Sequence, residues 1–299
     1  MKSKNINTKN LIWVYPPNNW ISNYKRTFVY GWVKPKTKLF ISVETLHQQI
    51  KVFPNGNFAQ MVKLPFKNGN IQLTQVLKNG KKKVVSRVVI VREKTNRIEL
   101  LGLRNEQNRF NSQSSVLNPQ SCVIVIDPGH GGKEHGTHSP KGIPEKHFNL
   151  QVAKLLYEKL NKLDDKKVYL TRTKDKFVSL KQRVAFAKKK KCNLLISIHH
   201  NALPDYENPL KHKGVGIYYT HDFVKPLTRS LLKNISKEAK LKKYGIFKRN
   251  FALTKPDFCH AVLIECGFLI HPEESEHITQ RKTQEKIVNG IIKVISSQY

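Results

Sequence analysis

The chain has 299 residues, 39% hydrophobic and 25% charged, which excludes a disordered protein and allows one large core or two smaller ones. The formal net charge of +33 is spread along the chain, because residues 1–120 contain 21 Lys and Arg against four acids and residues 121–299 contain 33 against 17. Such a charge predicts attraction to nucleic acid, an anionic polymer or an acidic lipid surface without distinguishing them, and it also serves solubility alone.

The start of the chain is basic, but its apolar run at residues 11–14 is too short for a signal-peptide core and ends at two prolines. Elsewhere the longest apolar stretches, residues 123–126 and 194–198, are far shorter than the roughly 20 residues of a transmembrane helix. We therefore predict a soluble chain with no visible export signal and no transmembrane segment.

Residues 27–93 show the alternation of short β-strands and no helical period. Six runs rich in β-branched and aromatic residues predict strands: TFVYGW, KLFISV, QIKVF, AQMVKL, NIQLTQVL and KKVVSRVVIV. Asn-Gly pairs at 55–56, 68–69 and 79–80 favour the positive φ angles of tight hairpin turns. These features predict a small β-sandwich over residues 1–95, which resembles immunoglobulin-like β-domains.

Residues 96–120 lose this period and are rich in Asn, Gln and Ser, which predicts a linker. After it, five apolar runs predict buried strands at residues 121–127, 168–173, 192–200, 215–220 and 261–268. Between them, residues 145–163 place apolar side chains at helical spacing, and Ser179 with Gln182 predicts a capping box for a helix over 179–190. This order predicts a three-layer, mostly parallel α/β domain over residues 121–299.

Polar residues follow the predicted strands at the positions where sites form in such sheets. His130 lies in the glycine turn DPGHGG, which lacks both the dinucleotide fingerprint and the lysine of a P-loop. His199 and His200 directly follow a buried strand. Glu265 interrupts an apolar run, where an unpaired charge is costly.

Each of these residues also has a structural explanation, and Glu145 at a predicted helix start is explained by the helix dipole alone. Considered together, two imidazoles and a carboxylate from separate segments form the ligand set of a catalytic zinc site, whose fourth position is left for water. Glu265 is then an additional carboxylate that is available for catalysis.

The segments IDPGHGG, Glu145, SIHHNA and LIECGF resemble, in this order, the zinc-dependent N-acetylmuramoyl-L-alanine amidases of the amidase type 3 family. The resemblance covers residues 121–299 and implies that His130, Glu145 and His199 bind Zn²⁺ while Glu265 is the catalytic carboxylate. It also implies that zinc-activated water cleaves the amide between N-acetylmuramic acid and L-alanine of peptidoglycan, with Glu265 as general base and then general acid.

The same resemblance makes His200 a neighbour of the metal site rather than a ligand. Some relatives carry a long inhibitory helix after the second histidine motif, but residues 201–214 are short here. We therefore predict that no activator protein is required. The four cysteines form no C-x-x-C pair and predict core thiols, and Cys266 is not expected to act as a nucleophile.

Several further residues have two readings at this level. Arg172 and Arg183 either contact the carboxylates of the stem peptide, as substrate-binding residues, or form structural salt bridges. Three histidines either contact substrate and metal ligands or are solvated loop residues: His135, His138 and His147. Trp13 and Trp20 either stack on sugars or fill the core of the β-domain.

Two functions of different classes follow. The first is a peptidoglycan hydrolase of the cell wall, an autolysin-like amidase whose basic β-domain holds it on anionic wall polymers, with nucleic acid not expected as a partner. The alternative is a non-catalytic protein that binds the wall or another polyanion. The first function requires a periplasmic or extracellular location, although no signal peptide is visible, and both a host and a phage origin fit.

Overall fold

The computed structural model describes residues 10–22, 24–64, 68–77, 79–91 and 122–299. These residues form a β-rich N-terminal part and a mixed α/β C-terminal part. The linker predicted at residues 96–120 lies outside the described residues, as does the predicted boundary at residue 95.

The N-terminal part consists of two packed sheets. The first has the order β1 (Leu11–Tyr15), β3 (Arg26–Val33), β6 (Asn57–Lys63), and the second has the order β2 (Trp20–Ser22), β8 (Lys82–Val91), β7 (Asn68–Val76), β4 (Lys38–Val43), β5 (Leu46–Ile50). All pairings are antiparallel except that of β2 with β8. Residues from both sheets, among them Val29, Ile41 and Leu73, share one buried core. The structure adds β1 and β2 to the predicted strands.

Two of the three Asn-Gly pairs form turns. Gly56 and Gly80 have φ angles of 84° and 76°, in the region that glycine adopts without strain. The third turn prediction was wrong, because Asn68 and Gly69 lie inside β7 and pair with β8. The long ladder between these two strands outweighs the local preference of the pair for a turn.

The C-terminal part contains one six-stranded sheet. Its order is β10 (Lys166–Leu170), β9 (Cys122–Pro128), β11 (Leu194–Asn201), β14 (His260–Phe268), β12 (Val215–Tyr219), β13 (Lys243–Lys248). Neighbouring strands are parallel except β12 and β14, so the sheet is mostly parallel, as predicted. The edge strand β13 was not predicted, because none of its six residues is fully buried and its apolar pattern is weak.

Helices cover the two faces of this sheet unequally. On one face lie α1 (Glu145–Leu160), α3 (Lys225–Ala239) and α5 (Arg281–Gln298), whereas α2 (Leu180–Lys189) lies on the other beside Leu253 and Cys259. The three-layer prediction therefore holds fully on one face and in part on the other. The helices α3, α5 and the short α4 (Pro272–Ile278) were not predicted. Within the described residues, no helix is long and apolar enough to cross a bilayer.

The two predicted helices are present with shorter bounds, and α2 loses one residue at each end. The capping box of α2 is formed, since Ser179 Oγ accepts from the Gln182 N–H at 3.3 Å and Gln182 Oε1 accepts from the Ser179 N–H at 2.9 Å. The helix α1 begins at the predicted residue but ends at Leu160. Leu163 packs against the core just beyond this end, which explains why it fits the helical period.

The β-sandwich packs directly on the α/β part, and we call this contact the domain junction. Its apolar centre consists of Phe28, Tyr30 and Ala59 with Ile270. Its hydrogen bonds run from Asn57 Nδ2 to the carbonyl of Pro272 at 2.6 Å, from the Tyr30 hydroxyl to the carbonyl of His138 at 3.0 Å, and from the Tyr15 hydroxyl and Trp20 Nε1 to the carboxylate of Asp205. The sandwich is thus attached to two loops and to the first residue of α4.

Candidate metal centre

The loop after β9 presents His130 at the carboxyl end of the sheet. His130 has a φ of 60°, and Gly131 and Gly132 after it also have positive φ angles. A non-glycine residue rarely adopts this region unless its surroundings fix it. Contacts with surrounding residues therefore have to fix the conformation of this loop.

Two buried arginines hold this loop. Arg172 donates to the carbonyl of Gly129 at 2.9 Å, and Arg183 donates to the carbonyl of His130 at 2.7 Å and to the carboxylate of Asp127 at 2.8 Å. Their exposed fractions are 1% and 2%, so little of either guanidinium is open to a substrate. The structure favours the structural reading of Arg172 and Arg183 over contact with a stem peptide.

Glu145 is the first residue of α1, and its side chain is buried. Its carboxylate accepts from the Thr137 N–H at 3.1 Å and from Asn149 Nδ2 at 2.9 Å. Burial alone would raise its pKa, but hydrogen bonds and charge from His130 and His199 hold the pKa of Glu145 well below its usual range. The carboxylate is therefore ionised, as a metal ligand has to be.

His130, Glu145 and His199 come together in one cluster. His130 Nε2 lies 3.2 Å from one carboxylate oxygen of Glu145, and His199 Nδ1 lies 3.1 Å from the other. One potential ligand atom from each residue lies within 4.8 Å of the other two. No other group of three His, Cys, Asp or Glu side chains in the described part of the chain meets in this way.

Two glycines leave the space that this cluster fills. A Cβ atom at Gly129 would lie 2.2 Å from ring atoms of His199, and one at Gly136 would lie 2.4 Å from Oε2 of Glu145. Gly136 also has a φ of +68°. A side chain at either position would displace a member of the cluster, so both positions need glycine.

Glu265 lies on β14 beside His199 on β11 in the register of the sheet. Its Oε2 atom is buried and has no hydrogen-bond partner among the described residues. Burial and, second, the charge of Glu145 raise the pKa of Glu265 well above its usual range. A buried carboxyl oxygen without a hydrogen-bond partner is costly, and such groups are common at catalytic sites.

His200 lies outside the cluster, in agreement with its implied place as a neighbour. Its Nδ1 lies 2.7 Å from Oδ1 of Asn149, and burial lowers the pKa of its ring to about 4. Asn149 also donates to Glu145, so it links the neutral histidine to the cluster. The sequence reading missed Asn149, although its spacing of four residues from Glu145 on one helix face was a usable signal.

A pocket of about 410 Å³ opens beside the cluster. Its lining includes His130, His199, Gly136, Leu180 and Leu253. Two members of the cluster therefore face a space that a substrate can enter.

The remaining predicted residues lie outside the cluster. His135 and His147 are exposed, and His138 is half-buried with its ring 5.9 Å from that of His135. Cys266 is a buried free thiol whose pKa is raised, first by burial, which does not suit a nucleophile.

Both tryptophans are engaged in packing or hydrogen bonding within the protein. Trp13 is buried in the core of the sandwich, and Trp20 donates to Asp205 at the domain junction. Residues 201–214 contain one short 3₁₀ helix, Pro209–Lys211. The sequence predicted no long inhibitory helix in this segment.

The donor set of the cluster fits Zn²⁺. Two imidazole nitrogens and one carboxylate oxygen are a common set of protein ligands for catalytic zinc, which keeps a further position for water or substrate. The ionised state of Glu145 and the tight glycine packing around the cluster agree with a cation site.

Comparisons with known proteins agree with this geometry. The family model described as N-acetylmuramoyl-L-alanine amidase matches residues 124–297. A probable cell wall amidase LytH of Staphylococcus epidermidis is 34% identical over 192 residues, which cover 62% of this chain and 62% of that protein. The N-acetylmuramoyl-L-alanine amidase AmiC of Escherichia coli is 26% identical over 254 residues, with 67% of this chain and 61% of that protein covered.

A solved structure is similar over the same region. The crystal structure of an N-acetylmuramoyl-L-alanine amidase from Clostridium difficile 630 matches with a TM-score of 0.57 and 35% sequence identity. The match covers 60% of this chain and 96% of that chain, whereas this chain spans about three fifths of the two curated relatives, 62% and 61%. The family model, at residues 124–297, lies within the α/β part.

Proposed function

The chain belongs to the N-acetylmuramoyl-L-alanine amidase family, and we propose that it hydrolyses the amide bond between N-acetylmuramic acid and the L-alanine of the peptidoglycan stem peptide. His130, Glu145 and His199 bind Zn²⁺ in this proposal, and Glu265 is the catalytic carboxylate. The observation that carries it is the meeting of three ligand side chains beside Glu265, whose Oε2 atom is buried and has no hydrogen-bond partner among the described residues.

The chemistry divides between the metal and Glu265. Held by His130, Glu145 and His199, Zn²⁺ would supply a Lewis acid for the scissile carbonyl and for the activation of water. Glu265 accepts a proton from the attacking water and then delivers it to the nitrogen of L-alanine as the C–N bond breaks. The raised pKa of Glu265 supports this role, because the carboxyl has to hold the proton between the two steps.

The place of action follows from the substrate. Peptidoglycan lies outside the cytoplasmic membrane, and the curated relatives include proteins named as cell wall amidases, so we propose a periplasmic or extracellular location. The net charge of +33 supports attraction to anionic wall polymers. A purely binding function is not favoured, because the cluster and Glu265 are both present.

Digestion of purified peptidoglycan tests the proposal. The wild-type protein should release stem peptides that begin with L-alanine, identified by mass, and create no new reducing sugar ends. A chelator should stop the reaction, and added Zn²⁺ should restore it. The variant Glu265→Gln should lose at least about 100-fold in rate, because it cannot transfer the proton.

A matched variant is Glu285→Gln, which removes a surface carboxylate that pairs with Arg281 on α5. It should keep wild-type activity. New reducing ends would show a glycosidase instead of an amidase, and full activity in the presence of chelator would contradict the metal site. Full activity of Glu265→Gln would remove Glu265 from the mechanism.

A further inference from the structure

A second pocket lies at the domain junction, away from the metal centre. It encloses about 570 Å³ and is lined by Tyr24, Lys25, Arg26, Lys63 and Tyr206. Tyr206 belongs to the loop after β11, and the other four residues belong to the sandwich. This space, which we call the junction pocket, thus combines three cations with two aromatic rings from both parts of the molecule.

The cations of the junction pocket include an opposed pair. Arg26 on β3 and Lys63 on β6 are direct partners in the antiparallel register, where like charges destabilise the pairing. Neither takes part in an ion pair within the described residues. The described part of the sandwich contains one acidic residue, Glu44, in the turn between β4 and β5. The sandwich therefore does not balance this charge itself.

The aromatic side of the junction pocket bridges the two parts. The ring centroids of Tyr24 and Tyr206 lie 4.8 Å apart with an interplanar angle of 56°. Two acids flank Tyr206 along the chain, and both already have partners. The carboxylate of Asp205 accepts hydrogen bonds from Tyr15 and Trp20, and that of Glu207 lies 3.1 Å from Nε2 of His212. These bonds fix the loop that carries Tyr206, so the ring is positioned before any ligand arrives.

We propose that the junction pocket binds an acidic saccharide. Its anionic group faces Arg26 and Lys63 and relieves their repulsion, while the sugar ring packs against the tyrosine rings. Carboxylate and phosphate substituents share this chemistry. The site does not depend on amidase activity, and it gives the attraction to anionic wall polymers a defined position on the protein.

Calorimetric titration of the full chain tests the site with four probes. Tetragalacturonic acid carries carboxylates on sugar rings, glucose 6-phosphate carries a phosphate, maltotetraose is neutral, and inorganic phosphate has no ring. At least one acidic sugar should bind more tightly than both maltotetraose and inorganic phosphate. The tighter of the two acidic sugars identifies the anionic group that the pocket prefers.

Paired variants separate the site from the general charge of the protein. Arg26→Gln with Lys63→Gln should weaken binding of the acidic sugar about five- to tenfold, because two exposed ion pairs are lost. Lys81→Gln with Lys82→Gln removes the same charge from exposed positions at the start of β8, and it should change binding by less than about twofold. Tyr206→Leu should also weaken binding, since it removes a ring and keeps an apolar side chain.

Thermal unfolding shows whether a variant loses binding only because it no longer folds. The double variant of Arg26 and Lys63 should unfold at a temperature no lower than the wild type, because it removes a repulsive pair. Equal loss of binding in the two double variants would show a diffuse charge effect and overturn the site. Binding of maltotetraose or inorganic phosphate as tight as that of both acidic sugars would overturn it as well.

Discussion

The metal centre and the domain junction are assembled in different ways. The centre gathers side chains at strand ends and a helix start of one α/β unit, and the hydrogen bonds that orient them also come from that unit. The junction is made of a small apolar centre and of hydrogen bonds between residues that are 108 to 215 positions apart. This difference indicates that the chemistry and the attachment of the sandwich are separable properties of the chain.

The two regions nevertheless share loops. The acceptors of the junction are His138 and Asp205, which lie in loops, and Pro272, which begins α4, and each is next to a segment that carries a site residue. The sandwich contributes no side chain to the cluster of His130, Glu145 and His199. We therefore expect changes in the centre to alter metal binding and changes in the junction to alter stability.

The largest effect is expected for His199→Ala. Even partners that orient metal ligands are worth about 10- to 100-fold in affinity, so loss of a ligand should lower zinc affinity by more than about 100-fold. Metal analysis after dialysis should find zinc in the wild type and in the control His47→Ala, an exposed histidine of the sandwich. Retention of one zinc per chain by His199→Ala would place the metal elsewhere.

The second effect is a dependence of folding stability on pH, which arises at His271 beside the domain junction. His271 is buried, and its Nδ1 accepts the N–H groups of Glu273 and Glu274 at the start of α4. Burial, followed by the charge of Lys213, lowers its pKa from 6.5 to about 4. The unfolded chain therefore binds a proton between these values before the folded chain does, and stability should fall as the pH drops from 6.5 to 4.

The variant His271→Asn isolates this contribution. Asparagine can cap α4 without titrating, so the metal-free variant should match the wild type at pH 8 and exceed it by on the order of 3 kcal/mol near pH 4. Denaturant unfolding at a series of pH values measures the difference. If the unfolding free energies of the two proteins changed with pH by the same amount, His271 would not stay neutral in the folded protein.

The third effect compares two glycines. Gly136 and Gly80 have φ angles of +68° and +76°, but a Cβ atom at Gly136 meets Glu145 whereas one at Gly80 meets nothing within 4 Å. Alanine should cost about 1–2 kcal/mol of backbone strain at either position. Only Gly136→Ala should also lower zinc affinity, by about tenfold or more, because it moves a ligand. Equal zinc affinities would show that the loop adapts around the added methyl group.

These contrasts also show what the sequence could predict. Most strands could be identified from their apolar runs, and so could three site residues, because His130 and His199 follow such runs and Glu265 interrupts one. Glu145 has no such local mark, and the resemblance to the family assigned it as a ligand. The strand β13 was missed because none of its residues is fully buried and its apolar pattern is weak. The helix α5 was missed although Ile287, Ile291 and Val294 recur at helical spacing. Asn68 and Gly69 were misread because pairing with β8 decides their conformation.

The junction could not be predicted, because its contacts depend on the relative placement of two parts that share no pattern. Asp205 carries no local signal for its bonds to Tyr15 and Trp20, which lie 190 and 185 positions away. The burial of Arg172 and Arg183 could not be predicted either. The sequence around an arginine does not show whether its side chain contacts a substrate or a loop of the protein. Three-dimensional contacts decide both cases.

The smallest effect is expected for Asp205→Asn. Two donors, the Tyr15 hydroxyl and Trp20 Nε1, meet one carboxylate, whereas an amide offers one oxygen and turns its NH₂ group toward the other donor. The change should cost about 1 kcal/mol in unfolding free energy and leave zinc affinity unchanged. Asp164→Asn, on the exposed turn after α1, should change stability by less than about 0.5 kcal/mol. A fall in zinc affinity for Asp205→Asn would show that the junction does act on the metal centre, because the loop it fixes continues directly from His199.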